Sequence, residues 1–141
     1  MAGAALSALE GDHEVVTAGT LTIPGQPMSW RTRDAMAEHG LASPQHRSTQ
    51  ADADHLAAAD LVVGLAVEHV QWVRREFPQH AHKTATLKRL VRDGVTGDLA
   101  AVELDPSWED VEDPGGGELP EFQRAAAEVV ELVGKLHAAI S

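Results

Sequence analysis

The chain contains no cysteine, and this absence limits the chemistry that its 141 residues can perform. Disulfides, thiolate metal sites and cysteine nucleophiles are excluded for the chain as given. Four serines fall in segments predicted as loops, and none carries the sequence signature of an activated catalytic triad. They are Ser29, Ser43, Ser48 and Ser107.

Two histidines, His80 and His82, stand close together in one short segment and could both face a metal ion. A protein zinc site usually takes three or four protein ligands, and no third ligand is apparent nearby. We therefore favour an exposed loop over a metal site at this position. The sequence predicts neither a metal nor a cofactor.

The charge balance is strongly acidic, with 22 Asp and Glu against 11 Lys and Arg and a net charge of −11. Binding to a nucleic-acid backbone needs clustered Lys and Arg, so we predict no nucleic-acid partner. No apolar run approaches the ~20 residues of a membrane span, and no signal peptide is apparent, so we predict no membrane partner and a cytoplasmic location.

The stretch 60–78 organises the rest of the chain. Residues 61–66 form an almost fully apolar run, which is typical of a strand covered on both faces in a parallel sheet. Val70, Val73 and Phe77 follow at helical spacing, so a helix is predicted directly after this strand.

Other segments alternate between strand and helix patterns. Further strands are predicted at 14–18 and 84–87, with helices at 1–10, 31–39, 51–59 and 88–92. A final helix carries an apolar stripe of Phe122, Ala125, Ala126, Val129, Val133, Leu136 and Ile140. Residues 95–117 are polar, rich in Gly and Pro, and predicted as a loop. The alternation predicts an α/β class with a small, mainly parallel sheet.

Five segments stand in an order that is familiar from one enzyme family. They are VVTAGT at 15–20, GQPMSWRTRDAMAEHGL at 25–41, HRSTQ at 46–50, ADLVVGLAVEHVQWVRREFP at 59–78 and VEDPGGG at 111–117. In this order they resemble the low-molecular-weight protein tyrosine phosphatase family, which includes related arsenate reductases. The resemblance covers the whole chain and implies a three-layer αβα fold of the phosphatase I type in a single domain, 1–141.

The family's signature segment is the main departure. A first strand, a Cys-x5-Arg-Ser phosphate loop and a helix open the family's fold, whereas MAGAAL at 1–6 resembles only that helix. We therefore expect an N-terminally truncated domain without the first strand, the nucleophilic cysteine and the phosphate-binding arginine. A start codon assigned too far downstream is one explanation.

The missing strand has a structural consequence. In the family's strand order, 2-1-3-4, the missing strand would lie between 14–18 and 61–66. Its absence leaves a gap in the sheet, with an open edge on the strand 61–66. Three outcomes are expected: 14–18 moves to pair with 61–66, another chain fills the gap, or the isolated chain is poorly stable.

The reaction that the resemblance implies is phosphate-ester hydrolysis through a cysteinyl-phosphate, with an aspartic acid protonating the leaving oxygen. Asp113, in the Asp-Pro loop, is the general-acid equivalent by its place before the final helix. Asp105, also followed by proline, is a rival, and a plain turn is the alternative for both. Gly115 stands where the family tends to carry tyrosine, so it offers no aromatic contact to a substrate.

The residues around Asp113 are acidic. No Lys or Arg occurs between Gly94 and Gln123. The same window holds nine carboxylates: Asp98, Glu103, Asp105, Glu109, Asp110, Glu112, Asp113, Glu118 and Glu121. Such a rim would repel a phosphate dianion, and a solvated acidic loop is the alternative interpretation.

Three further residues have structural interpretations. His46 and Arg47 match the family's segment, where we expect them to position loops through hydrogen bonds. Trp72 lies off the apolar stripe of its helix, so partial exposure is expected, with a partner contact as the alternative.

Two functions remain open. The first is a phosphatase-family domain that is inactive as this isolated chain; a full-length product would act on a phosphoprotein or a small phosphate ester. The second is a non-enzymatic interaction module, or pseudophosphatase, that binds a partner strand or self-associates at the open sheet edge. Arsenate reduction ranks last because it needs several cysteines.

Overall fold

The computed structural model describes residues 1–9, 14–20, 28–41, 48–95, 97–111 and 117–140. The chain divides into two compact units. One is built from Met1–Gln50 and Glu112–Ala139, and the other from Ala51–Val111. Among the described residues, no helix is long and apolar enough to cross a membrane.

Two short strands form the parallel sheet of the unit 51–111. Strand β1, Val62–Gly64, pairs with strand β2, Thr84–Thr86, in the register Val62 to Thr84. All of β2 is buried, but Val63 of β1 is 37% exposed. The parallel pairing confirms the predicted class, whereas the prediction that both faces of this strand are covered is wrong at Val63.

Helical segments make up most of the same unit. They are α3 at Ala53–Ala58, α4 at Val67–Glu76, α5 at Leu87–Asp93 and α6 at Pro106–Glu109, with 3-10 turns at Pro78–Lys83 and Leu99–Ala101. The prediction of a continuous loop over 95–117 is therefore wrong where the 3-10 turn and α6 form. Asp105 and Pro106 explain α6, because an aspartate cap followed by proline is a common helix start.

Helix α4 follows β1 as predicted and packs closely against the end of the strand. Val67, Val70 and Val73 are buried on its inner face. A side chain could not easily replace the hydrogen of Gly64, since a Cβ there would lie 3.0 Å from the Cβ of His69. Glycine at this position therefore lets the first turn of the helix approach the strand.

Three helices lie in the unit that contains both chain ends, in the part of it that the structure describes. It holds α1 at Ala2–Ser7, α2 at Trp30–Ala37 and most of α7, which runs from Leu119 to Ile140. The predicted stripe of α7 is buried at Phe122, Ala125, Ala126, Val129, Val133 and Leu136, whereas Ile140 is only partly covered. Ala35 of α2 packs with Phe122 and Ala126, so this stripe builds the core of the unit.

The strand predicted at 14–18 does not form in the structure. In the part of the chain described, Gly19 alone makes a parallel bridge there, to Gln50, and its N–H donates to the carbonyl of Thr49 at 2.8 Å. Val16, in the middle of the segment, is 66% exposed. A β-pattern gives a strand only where a neighbouring strand satisfies its backbone groups, and the sequence pattern could not supply that neighbour.

A buried carboxylate joins β2, α5 and α6. The side chain of Glu109 is fully buried and accepts hydrogen bonds from Thr86 Oγ1 at 2.8 Å and from Arg89 Nε and Nη2 at 2.9 and 3.1 Å. The N–H of Asp105 donates to it at 2.6 Å. Arg89 Nη2 also donates to the carbonyl of Glu103 at 2.7 Å. The charge of Glu109 is thus paired, and both of its oxygens are hydrogen-bonded.

Burial disfavours the charged form of Glu109, but the hydrogen bonds from Arg89, the Asp105 N–H and Thr86 outweigh it and hold the pKa below its ordinary value of 4.5. A carboxyl whose pKa is lower in the folded state stabilises the fold above the unfolded pKa, and this contribution is lost as the pH falls through the folded value.

We predict that Glu109→Gln lowers the free energy of unfolding by about 3 kcal/mol at pH 7, because Arg89 loses its buried anionic partner and keeps only the more exposed carboxylate of Asp93. The difference from the wild type should shrink as the pH falls from 4.5, where the unfolded-state carboxyl takes up its proton, through the lower pKa of the folded state. Urea unfolding at several pH values measures both effects. Glu131→Gln, on the exposed face of α7, is the matched control and should change stability by less than about 1 kcal/mol. If Glu109→Gln lowered the free energy of unfolding equally at pH 3 and pH 7, the predicted pH dependence would be contradicted.

Candidate functional site

The candidate site lies where β1 ends and α4 begins, at residues 65–67, which we name the β1–α4 turn. The carboxyl ends of parallel strands are where α/β folds usually bind ligands. Backbone N–H groups of Leu65 and Ala66 both donate to Nδ1 of His69, each at 3.2 Å. The N–H of Val67 donates to the carboxylate of Asp110 at 2.7 Å.

These contacts replace the usual cap of a helix. The N-cap residue of α4 is Ala66, whose methyl side chain cannot accept a hydrogen bond, although Ser, Thr, Asp or Asn is preferred there. His69, one turn into the helix, and Asp110, 43 residues further along the chain than Val67, accept the unpaired N–H groups instead. The negative charge of Asp110 also suits the positive end of the helix dipole.

The segment that precedes the Asp-Pro loop is fixed at the same place. The N–H of Val111 donates to the carbonyl of Leu65 at 2.7 Å. Lys88 Nζ donates to the carbonyl of Asp110 at 2.9 Å. With Glu109 buried in its own network, three consecutive residues, 109–111, are held against β1, α4 and α5.

Asp113 itself lies outside the described residues, as do Glu112 and Gly115. The described chain stops at Val111 and resumes at Gly117. The structure therefore places Val111, the last described residue before the Asp-Pro segment, at the carboxyl end of β1. The role of Asp113 stays a prediction.

Asp105, the rival of Asp113, is occupied as a helix cap. Its Oδ1 accepts from the N–H of Ser107 at 2.9 Å and from the Ser107 hydroxyl at 2.6 Å. These two hydrogen bonds hold the pKa of Asp105 below its ordinary value. A carboxyl that remains ionised is a poor general acid, so the structure disfavours Asp105 in that role.

The acidic rim expected from the sequence needs a correction at Glu109. Glu103, Asp105 and Asp110 are exposed, but Glu109 is buried and paired with Arg89. Helix α5 brings basic side chains to this segment from outside the acidic window. A scan for basic residues along the sequence could not show that, because the pairing joins positions 20 residues apart.

Trp108 provides a second contact between α5 and α6. The guanidinium groups of Arg89 and Arg92 lie over its ring, at 5.0 and 3.8 Å from the ring centroid. A cation over an aromatic face is attracted to it, so Trp108 keeps these arginines beside the acidic segment. Neither these two arginines nor Trp108 was predicted from the sequence as part of this region.

His80 and His82, for which the sequence favours an exposed loop over a metal site, lie in the 3-10 turn Pro78–Lys83, with His82 exposed and His80 partly covered. Burial lowers the pKa of His80, and the positive charges of Lys83 and His82 add to this effect. Within the described ranges, no group of three or more His, Asp or Glu side chains could hold a metal ion.

The remaining predicted residues have varied placements. His46 and Arg47 lie outside the described residues, and so does Ser43. Ser29 caps α2 by accepting from the N–H of Thr32 at 3.2 Å. Trp72 is partly exposed, as predicted, and its ring meets Phe77 edge-on at 5.5 Å.

Comparison with known proteins decides the family. The model of the low molecular weight phosphotyrosine protein phosphatase family matches residues 4–141. The chain belongs to this family.

Several relatives are similar over most of their length. A protein-arginine-phosphatase of Geobacillus stearothermophilus is 29% identical over 123 residues, which cover 87% of this chain and 74% of that protein. The solved YwlE arginine phosphatase from the same organism is 27% identical, with a TM-score of 0.83 over 99% of this chain and 82% of that one. A low molecular weight protein tyrosine phosphatase from T. tengcongensis is 28% identical, with a TM-score of 0.79 over 96% of this chain and 86% of that one. These likenesses confirm the predicted αβα fold class of the family.

We predict that Asp110→Ala destabilises the first turn of α4 by about 1 kcal/mol, because the N–H of Val67 loses its acceptor. Amide hydrogen exchange at Val67 should accelerate in this variant and change much less in Asp110→Asn, which keeps an acceptor oxygen. Asp34→Asn, exposed on α2, is the control. Unchanged exchange at Val67 in Asp110→Ala would show that Asp110 does not cap the helix.

Proposed function

We propose that this chain is a low-molecular-weight phosphatase domain that does not hydrolyse phosphate esters by itself. One observation carries the proposal: a member of this family contains no cysteine among its 141 residues. The family's chemistry needs a thiolate with a lowered pKa to attack phosphorus. A serine in its place would be a far weaker nucleophile, and the sequence around Ser29, Ser43, Ser48 and Ser107 has no signature of an activated triad.

Asp113 is proposed as the equivalent of the family's general acid. Two features of the structure support this assignment. Val111, two residues earlier, is anchored to Leu65 at the carboxyl end of β1. Asp105, the other Asp-Pro candidate, is engaged in capping α6.

The substrate class is proposed from the relatives. The names of the similar proteins specify arginine phosphatase or protein tyrosine phosphatase activity. A longer product carrying the nucleophile would act on a phosphoprotein or a small phosphate ester. We also propose that residues 1–141 form a single domain, which the family match over 4–141 supports, and that the protein is cytoplasmic.

We predict that the purified 141-residue chain releases no phosphate from p-nitrophenyl phosphate or phosphoarginine above the rate in buffer. Phosphate release is measured at chain concentrations that differ tenfold, with the Geobacillus arginine phosphatase as the positive control. Asp113→Asn is the matched variant and should give the same background. A rate of phosphate release that rises in proportion to the concentration of the wild-type chain, and that falls in Asp113→Asn, would refute the proposal.

A non-enzymatic interaction module is the second candidate. Among the described residues, β1 is hydrogen-bonded as a strand to β2 alone. Val63, in the middle of β1, is 37% exposed and apolar. A strand with a free edge can pair with another strand, so this edge would serve for self-association or for binding a partner strand.

This candidate predicts a concentration-dependent dimer or larger oligomer in size-exclusion chromatography with light scattering. Val63→Lys should reduce the oligomer fraction, because a charged side chain on an edge strand opposes pairing. Val95→Lys, which changes another exposed valine outside β1, is the control. A monomer at every concentration would count against the module.

A further inference from the structure

The imidazole of His69 accepts two backbone hydrogen bonds with one nitrogen atom. The N–H groups of Leu65 and Ala66 both point at Nδ1, each at 3.2 Å. We infer that His69 is a pH-sensitive cap, which holds the β1–α4 turn when its imidazole is neutral and releases the turn when the imidazole is protonated.

The tautomer follows from the contacts. An imidazole nitrogen accepts a hydrogen bond only with a free lone pair, so Nδ1 carries no proton and the neutral ring has its proton on Nε2. Protonation adds an N–H at Nδ1, which would then face the N–H groups of Leu65 and Ala66. Both hydrogen bonds are lost, and the ring must turn away.

Charged groups of both signs belong to the same turn. Glu68, on the same helix, places Oε1 3.9 Å from Nε2 of His69. The carboxylate of Asp110 binds the next N–H of the turn, and Lys88 Nζ binds the carbonyl of Asp110. The side chain of His69 is 36% exposed, so the proton can come from solvent.

The effect reaches beyond α4 because Leu65 has two roles. Its N–H is bound by His69, and its carbonyl accepts the N–H of Val111. Protonation of His69 therefore loosens the residue that anchors the chain just before Glu112 and Asp113. The inference concerns the β1–α4 turn itself and does not depend on whether the chain has catalytic activity.

Nuclear magnetic resonance of the full chain tests the inference between about pH 8 and pH 5, the range in which histidine commonly titrates. At about pH 8, the ring carbon and nitrogen chemical shifts of His69 should report the Nε2-protonated tautomer. As the pH is lowered, the amide shifts of Leu65 and Ala66 should change with the same midpoint as the His69 ring. Their hydrogen exchange, corrected for its intrinsic pH dependence, should accelerate about fivefold, which corresponds to the ~1 kcal/mol of a lost helix cap.

His69→Gln is the matched variant, because glutamine at this helix position can accept the same hydrogen bond but does not titrate. The amide shifts of Leu65 and Ala66 in this variant should stay constant across the pH range. An Nδ1-protonated tautomer at pH 8 would overturn the inference. So would wild-type amides that do not follow the His69 midpoint, or His69→Gln amides that titrate as in the wild type. If His69→Gln does not fold, the wild-type tautomer and midpoints decide the question alone.

Discussion

The buried ion pair between Glu109 and Arg89 is the interaction on which the described architecture around the candidate site depends. Glu109 has no exposed surface and binds side chains of β2 and α5 and a backbone N–H at the start of α6. A buried carboxylate is costly unless every oxygen is satisfied. Its contacts therefore allow one arrangement of these three elements, and that arrangement sets the path of the following residues.

From Glu109 the chain passes directly to the β1–α4 turn. Asp110 caps the N–H of Val67, and the N–H of Val111 binds Leu65. The Asp-Pro segment of a phosphatase-family domain thus starts from a point fixed by a strand end, a helix start and a buried ion pair. These contacts form in a chain that contains no cysteine, so the described segment 109–111 is held without help from a thiolate.

Local periodicity was enough to predict several elements. The stripe of α7 and the helix after β1 follow from spacings of apolar residues, because each helix buries one face. The parallel pairing of β1 with β2 follows from the alternation of strands with helices. The capping of Ala66 by Asp110 was not predictable, since it joins positions far apart in the sequence. Glu109 appeared as one more charge in an acidic loop, and nothing in its local sequence pointed to Arg89. The apolar pattern at 14–18 indicated a strand, but a pattern cannot supply the neighbouring strand.

We propose that this chain has the family's scaffold and takes up no phosphoryl group from a phosphate ester, because it contains no cysteine. Mass spectrometry of the intact chain, quenched in acid during incubation with a phosphate ester, tests it most directly. The account predicts an unchanged mass, whereas the Geobacillus arginine phosphatase treated in the same way serves as a reference for a competent relative. A phosphoryl adduct on any residue of this chain, formed in proportion to time and lost on removal of the ester, would contradict the account.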